Sequence, residues 1–265
     1  MREEQPNQDT QPSFDDGSFC LAIVGRGRAG GAIDRAARQA GLDARTTGRE
    51  DIAAISADAA AALLCVPDAE IEAACEAIAV ERIPPFVGHV SGATGLDALR
   101  AAGDRGAETF SLHPLQTIPD ASSEIAGAPC AVTGASPRSL EFARSLALRL
   151  GLRPFTLDDD ARAAYHAAAC IASNFLVVLE ESAAKLLEQS GVEDARELLT
   201  PLVLRTAANW SEHGADALTG PIARGDEATV ARHLDQLSEQ APELIPVYEA
   251  LAERARALAV RELAR

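Results

Sequence analysis

Apolar residues in the first 157 positions fall into two alternating patterns. Short contiguous runs such as Cys20–Val24 read as buried strands, and between them small apolar residues recur at helical spacing, as at Ala32, Ile33, Ala36, Ala37 and Ala40 before Gly41. The same alternation predicts strands at 43–47, 59–66, 86–90, 109–112, 129–132 and 153–157, and helices at 69–79, capped by Asp68, and at 139–150. Pro129 opens its strand, where a missing donor is tolerated. Beyond Asp158 the strand pattern stops. Helical periods run over 161–189, 192–199, 201–212, 227–239 and 242–263, separated by glycines and prolines. The pattern therefore predicts an α/β chain: a doubly wound, mostly parallel sheet covered on both faces, followed by an all-helical domain. Residues 1–16 are polar, carry Pro6 and Pro12 and read as a disordered tail, with domains at 17–157 and 158–265.

The first strand ends in Gly25, Gly27 and Gly30, at the spacing G-x-G-x-x-G. In a Rossmann βαβ unit the first glycine permits a tight turn, the second lets backbone approach a pyrophosphate, and the third lets helix pack on strand. Free amides and the positive dipole end of the next helix, at Arg28, Ala29 and Gly30, then hold the phosphates. An NAD site places an acid about 20 residues beyond these glycines. Here 43–47 ends without one, in Thr46-Thr47-Gly48-Arg49, and Glu50 and Asp51 follow at the next helix start. Thr47 offers a hydroxyl and Arg49 a bidentate donor, with Arg26 and Arg28 adding charge, which points to the 2′-phosphate of NADP. Arg49 as a solvated loop residue is the alternative. Val66-Pro67-Asp68 is either punctuation or a backbone turn beside the nicotinamide ribose, and Ser91 follows the next strand among small residues that leave room for a ligand.

A net charge of −16 argues against a nucleic-acid partner. Lys185 is the only lysine. Cys20, Cys65, Cys75, Cys130 and Cys170 are scattered and set among apolar residues, so they read as reduced core thiols of a cytoplasmic protein, without a disulfide framework or a metal site. No run reaches the ~18 apolar residues of a membrane span; 167–179 is interrupted at Ser173 and Asn174 and closed by Glu180 and Glu181.

Three further groups carry candidate chemistry. His166, Cys170 and Asn174 stand at i, i+4 and i+8, with Ser173 beside them, on one stripe of the helix predicted at 161–189. A histidine there either exchanges protons near neutrality or is a core residue satisfied by backbone. Arg224, in Thr219–Asp226, suits a substrate carboxylate or a cofactor phosphate; a salt bridge to Asp226 is the alternative. His113 and Gln116, in His113-Pro114-Leu115-Gln116-Thr117, either bind substrate or build a rigid loop.

The glycine loop, the Val66-Pro67-Asp68 turn, His89-Val90-Ser91-Gly92, the HPLQT stretch, the YHAAACIASN helix (165–174) and the LTGPIARGD turn (218–226) together resemble the Rossmann-like, DUF2520-containing proteins. These are similar to pyrroline-5-carboxylate reductases, ketopantoate reductases and β-hydroxyacid dehydrogenases. The resemblance covers nearly all of the chain beyond the tail. It implies an NADP domain, a helical domain, a homodimer made largely through the helices, and hydride transfer to or from a small carbonyl, imine or hydroxy acid. A non-catalytic NADP sensor and an NADPH-dependent reductase of another cofactor, such as a deazaflavin, are the alternatives. The latter two of those three enzyme groups carry a catalytic lysine four residues before an asparagine on this helix, and Cys170 holds that position here. A protonated thiol cannot replace an ammonium beside a developing alkoxide, and Lys185 lies about three turns beyond Asn174. The expected proton donor is therefore His166, with Asn174 and Ser91 orienting the substrate.

Overall fold

The computed structural model describes residues 19–48, 50–78 and 82–263. Seven strands, β1 (Cys20–Val24), β2 (Asp43–Thr47), β3 (Ala61–Leu64), β4 (Phe86–His89), β5 (Glu108–Pro114), β6 (Pro129–Gly134) and β7 (Arg153–Thr156), form one sheet in the order β2-β1-β3-β4-β5-β6-β7. Neighbours run parallel except β5 and β6, which pair antiparallel from Phe110 opposite Gly134 to Pro114 opposite Cys130. The sheet buries both faces. Leu21, Ile23, Phe86, Phe110 and Leu112 pack on one side against α1 (Arg28–Gln39) and α5 (Pro137–Arg149). Ala22, Val24, Leu64 and Val87 pack on the other against α2 (Ile52–Ser56), α3 (Ile71–Ile78) and α4 (Arg100–Gly103). Alternate residues of one strand thus feed two cores, which is why the strands read as unbroken apolar runs.

After β7 the chain is helical: α6 (Arg162–Ala172), α7 (Asn174–Gln189), α8 (Ala195–His213), α9 (Glu227–Gln240) and α10 (Ile245–Leu263). The chain divides into two compact units, one ending at Cys170 and the other starting at Ile171. Four local expectations are corrected. Asp68 does not cap a helix: Asp68–Glu70 is a 3-10 turn with Pro67 at its N-cap position. One helix, not two, runs through Pro201, which forgoes a single donor as α8 continues. Ser136, ahead of Pro137, starts α5 with a capping box to Ser139, earlier than periodicity suggested. Finally, the helix expected over 161–189 is interrupted at Ser173, whose φ of −124° and ψ of −68° leave the helical range. By length and composition Asp159–Gln189 nonetheless contains a stretch apolar enough to cross a membrane, with a mean hydropathy of 1.4 over that stretch. The end of the second helix, at Ala79, lies outside the described residues, as do the tail and Arg49.

Candidate functional site

Strand order reverses at β1: the chain places β2 on one side of it and β3 on the other. In such sheets the crevice for a ligand opens at the carboxyl ends of the strands flanking the reversal, here β1 and β3. The glycine loop follows β1 and Cys65-Val66-Pro67 follows β3, and the two loops touch. Gly25 adopts φ +124° and a Cβ on it would lie 2.2 Å from the Cys65 carbonyl oxygen. A Cβ on Gly30 would lie 1.8 Å from the Gly25 oxygen, so helix α1 can sit this close only without a side chain there. Among the described residues, Gly27, at the N-cap of α1, has nothing within 4 Å of its Cβ position and no side-chain cap over the helix end. The three glycines therefore divide the work as a dinucleotide loop requires: a turn, an open approach to the α1 amides of Arg28, Ala29 and Gly30, and a close helix contact.

At the end of β2 the side chains are arranged differently from expectation. Thr47 is 2 % exposed, its hydroxyl has no partner among the described residues, and its carbonyl accepts the Gly25 N–H at 2.8 Å. It shapes the glycine loop and does not present a hydroxyl to solvent. A carboxylate does reach this edge: Glu50 turns back over Gly48 and pairs with Arg26 at 2.5 Å. Backbone hydrogen bonds at Glu50 itself, and then Arg26, hold its carboxyl below the usual range. Arg28, in the first turn of α1, is exposed.

The carboxyl ends of β4 and β5 lie along the same edge, with His89 paired to Ser111 in register. His89 is fully buried and satisfied by backbone: its Nδ1 accepts from Ser91 N–H at 3.2 Å and its Nε2 faces the Gly95 carbonyl at 3.3 Å. Burial above all, and Arg162 next, pull its pKa down to about 4. Ser91 is equally committed. Its hydroxyl accepts from the amides of Ala93 and Thr94 and donates to Thr94 Oγ1, so Ser91 shapes this turn and is not free to orient a substrate.

Helix α6 returns to this edge with the face Arg162, Tyr165, His166, Ala169 and Cys170, spaced i, i+3, i+4, i+7 and i+8, turned inward. Arg162 is 3 % exposed and its guanidinium reaches Asp159 Oδ1 at 2.5 Å, the Ser91 carbonyl at 3.3 Å and the Ser111 hydroxyl. Asp159 in turn accepts from Leu96 N–H at 3.1 Å. One turn on, Tyr165 Oη lies 2.6 Å from His113 Nδ1, with the two rings edge to face. The His113 and His166 rings stand 6.4 Å apart, and a Cβ on Gly92 would fall 2.9 Å from His113 Nε2 and 3.0 Å from His166 Cδ2. Glycine at 92 is thus what lets two imidazoles meet one stretch of backbone. His166 Nδ1 lies 3.8 Å from Cys170 Sγ. Burial, then His166 and Arg162, hold the His113 pKa at about 4, and burial lifts that of Tyr165 to about 12.

The structure therefore brings together His113, His166, Cys170 and the Ser91 turn. Asn174 is separated from His166 and Cys170 by the break at Ser173 and opens α7, so the single stripe ends at Cys170. Gln116 is exposed beyond β5, Val66 is half-buried and Pro67 exposed after β3. Arg224 is exposed in its turn, and Asp226 is held low by Thr229 first, with Arg224 a lesser contributor. Arg162, Tyr165 and Asp159 were missed by sequence reasoning. The signal was present: Arg162 and Tyr165 share the helical face that carries His166. Among the described residues, no group of three or more His, Cys, Asp or Glu could hold a metal ion.

Family comparison now adds to the geometry. A Rossmann-like domain is matched over 32–114, and the domain of unknown function DUF2520 over 128–255. The chain carries both domains. The DUF2520 match begins at the last two strands and takes in the face of α6 that bears Arg162, Tyr165 and His166. No curated protein matches the chain in sequence. Solved structures share its fold at low identity. A candidate NADP oxidoreductase of Bacteroides fragilis is 21 % identical with a TM-score of 0.77, over 91 % of this chain and 99 % of that one. A reductive aminase of Aspergillus terreus, in complex with NADPH and ethyl-5-oxohexanoate, is 19 % identical with a TM-score of 0.66, over 92 % and 94 %. The pyrroline carboxylate reductase of Plasmodium falciparum with NADP bound is 12 % identical with a TM-score of 0.60, over 92 % and 99 %.

Proposed function

We propose that the protein is an NADP(H)-dependent oxidoreductase that moves a hydride to or from a small carbonyl, imine or hydroxy acid. The observation that carries this reading is the division of steric roles among Gly25, Gly27 and Gly30 at the sheet's reversal point, with two imidazoles at the same edge. The residues present fit the cofactor. The α1 amides of Arg28, Ala29 and Gly30 lie behind an open Gly27 for the pyrophosphate, and Val66 and Pro67 flank the ribose. Arg26, Arg28 and Arg49 are assigned to the 2′-phosphate, which must compete with Glu50 for Arg26. Relatives of the same fold solved with NADP or NADPH support the assignment.

When bound, NADPH supplies the hydride. His166 supplies the proton that balances it on the substrate oxygen or nitrogen, acting as a general acid through a ring N–H. Ser173, Asn174 and Arg224 are assigned to orient the substrate on chemical grounds, as hydroxyl, amide and guanidinium groups that recognise carbonyl and carboxylate oxygens. We place the protein in the cytoplasm, a reading supported by its five free thiols, four of them buried. We assign it as a homodimer through the helical region, supported by the large apolar side chains exposed on α7 and α8.

Titrating the full-length protein with NADPH and following nucleotide fluorescence tests the central claim. Saturable binding is expected, tighter for NADPH than for NADH, and no binding at high micromolar cofactor overturns it. His166→Ala should abolish turnover and leave cofactor affinity nearly intact.

A further inference from the structure

The His113–Tyr165 pair lies outside the chemistry assigned to His166, and its geometry restricts what the site can act on. Among the described residues, Tyr165 Oη makes its one hydrogen bond to His113 Nδ1, at 2.6 Å. The phenol can donate to a bare Nδ1 or accept from an Nδ1–H; when it donates, its own proton is satisfied and that ring nitrogen carries none. In that arrangement the proton of an uncharged His113 is on Nε2, the edge that faces Gly92 and, across it, His166.

We infer, building on the oxidoreductase reading, that Tyr165 fixes His113 as a hydrogen-bond donor through Nε2 to the substrate, and that the substrate group reduced is a carbonyl, not a protonated imine. A carbonyl oxygen has lone pairs to accept from Nε2–H, and an alkoxide forming there accepts more strongly. An iminium nitrogen carries its own proton, has no lone pair to offer, and needs no proton donor after hydride arrives. Two imidazoles meeting at Gly92 are redundant for an iminium. With a carbonyl, each imidazole has a separate role. The hydride bonds to carbon, the C=O π pair moves to oxygen, Nε2–H of His113 stabilises that oxygen, and His166 protonates it.

The charges around the pair favour the same substrate. His113 is faced by Tyr165, His166 and the Arg162 guanidinium from α6 and by the Asp68 carboxylate after β3, and Tyr165 is also faced by Cys130 of β6. The buried Arg162 guanidinium opposes a second positive charge on His113. His113 accordingly remains uncharged down to about pH 4. In this scheme His113 touches the substrate, whereas Tyr165 is a positioning residue that acts through it.

Nitrogen NMR of the full-length, 15N-histidine-labelled protein tests the first half without cofactor or substrate. We expect His113 with Nδ1 bare and Nε2 protonated throughout pH 5.5–8, and loss of that single tautomer in Tyr165→Phe. A protonated Nδ1, or an imidazolium at pH 6, overturns it. The second half is read with NADPH and a matched pair of probes, cyclohexanone and 1-pyrroline. Faster reduction of the ketone is expected, with kcat/KM falling about 100-fold in His113→Ala and partly restored in His113→Gln, whose amide can donate from the same position. Reduction of the imine alone, or an unchanged His113→Ala, overturns it. Failure of NADPH to bind would reject the oxidoreductase reading and leave the tautomer result standing, so the two are separable.

Discussion

Phe86, Phe110 and Phe142 lie fully buried where β4, β5 and α5 meet, with the Phe86 and Phe142 rings stacked 3.9 Å apart, whereas Phe175 on α7 and Trp210 on α8 are 57 % and 67 % exposed. The same kind of side chain is core in the sheet unit and surface in the helical unit. Five helices of an α/β layer are enough to close both faces of a seven-stranded sheet. The helical unit, considered by itself, leaves Leu198, Leu202 and Leu204 in the open beside Trp210. That exposed apolar area is the surface to which the proposed dimer is assigned. Precision in the first unit and unfilled apolar area in the second are what substitutions should tell apart.

The largest effect is expected at the glycine loop. Gly30→Ala puts a methyl group against the Gly25 carbonyl and should cost roughly 3 kcal/mol in urea unfolding, with loss of NADPH binding. Gly27→Ala, with open space around it, should stay within about 0.5 kcal/mol of the parent. Equal midpoints for the two variants would break the claim that the loop divides its roles. Arg162→Met comes next: it leaves Asp159 without its buried partner and should destabilise by about 3 kcal/mol. Adding Asp159→Asn should recover part of that, and a double variant no better than the single would show that the ion pair is not the cause.

On the helical side the expected readout is assembly. Trp210→Glu or Phe175→Glu should halve the mass seen by light scattering with little change in unfolding of the sheet unit followed by hydrogen exchange. A monomeric parent protein would remove the dimer from the comparison. Acid supplies a smaller and graded effect. His89 and His113 take up protons in the folded protein only near pH 4, against about 6.5 for unfolded imidazoles, so their burial stabilises fully above pH 6.5 and the contribution is lost as pH falls towards 4. Melting temperature should therefore drop between pH 6.5 and 5, before most carboxylates titrate, and His89→Gln should flatten that slope. The smallest effect is expected at Arg26→Ala, a several-fold loss of preference for NADPH over NADH measured by titration, because Glu50 already holds this arginine in the free protein.

Some features could be read directly because they depend on neighbours in the chain. Leu21 to Val24 must be a buried strand wherever it lands, and Gly25, Gly27 and Gly30 carry their spacing with them. Asp226 stands just before a helical period, where an acid caps, and it accepts the Thr229 amide. The site was readable only in pieces. His113 and His166 were each singled out, 53 positions apart, but nothing in the intervening residues says that their rings meet over Gly92. Tyr165 was passed over because a tyrosine on an alanine-rich helix looks like packing until its hydroxyl is seen to reach His113. At Ser91 and Thr47 the sequence shows only a hydroxyl, and the fold decides its surroundings: one is bonded within its own turn and the other is buried.

By itself the chain determined the order of its elements, the place of the nucleotide loop and the all-helical character of its second part. Those follow from periodicity and glycine spacing, which are local. Only the tertiary structure decided that β6 reverses beside β5, that Glu50 turns back onto Arg26 beside the glycine loop, and that Arg162 and Tyr165 lock α6 to the ends of β4 and β5. Each joins groups far apart in the chain or depends on a buried charge finding its partners. Energies of that kind belong to the packed fold and are not written in any one segment.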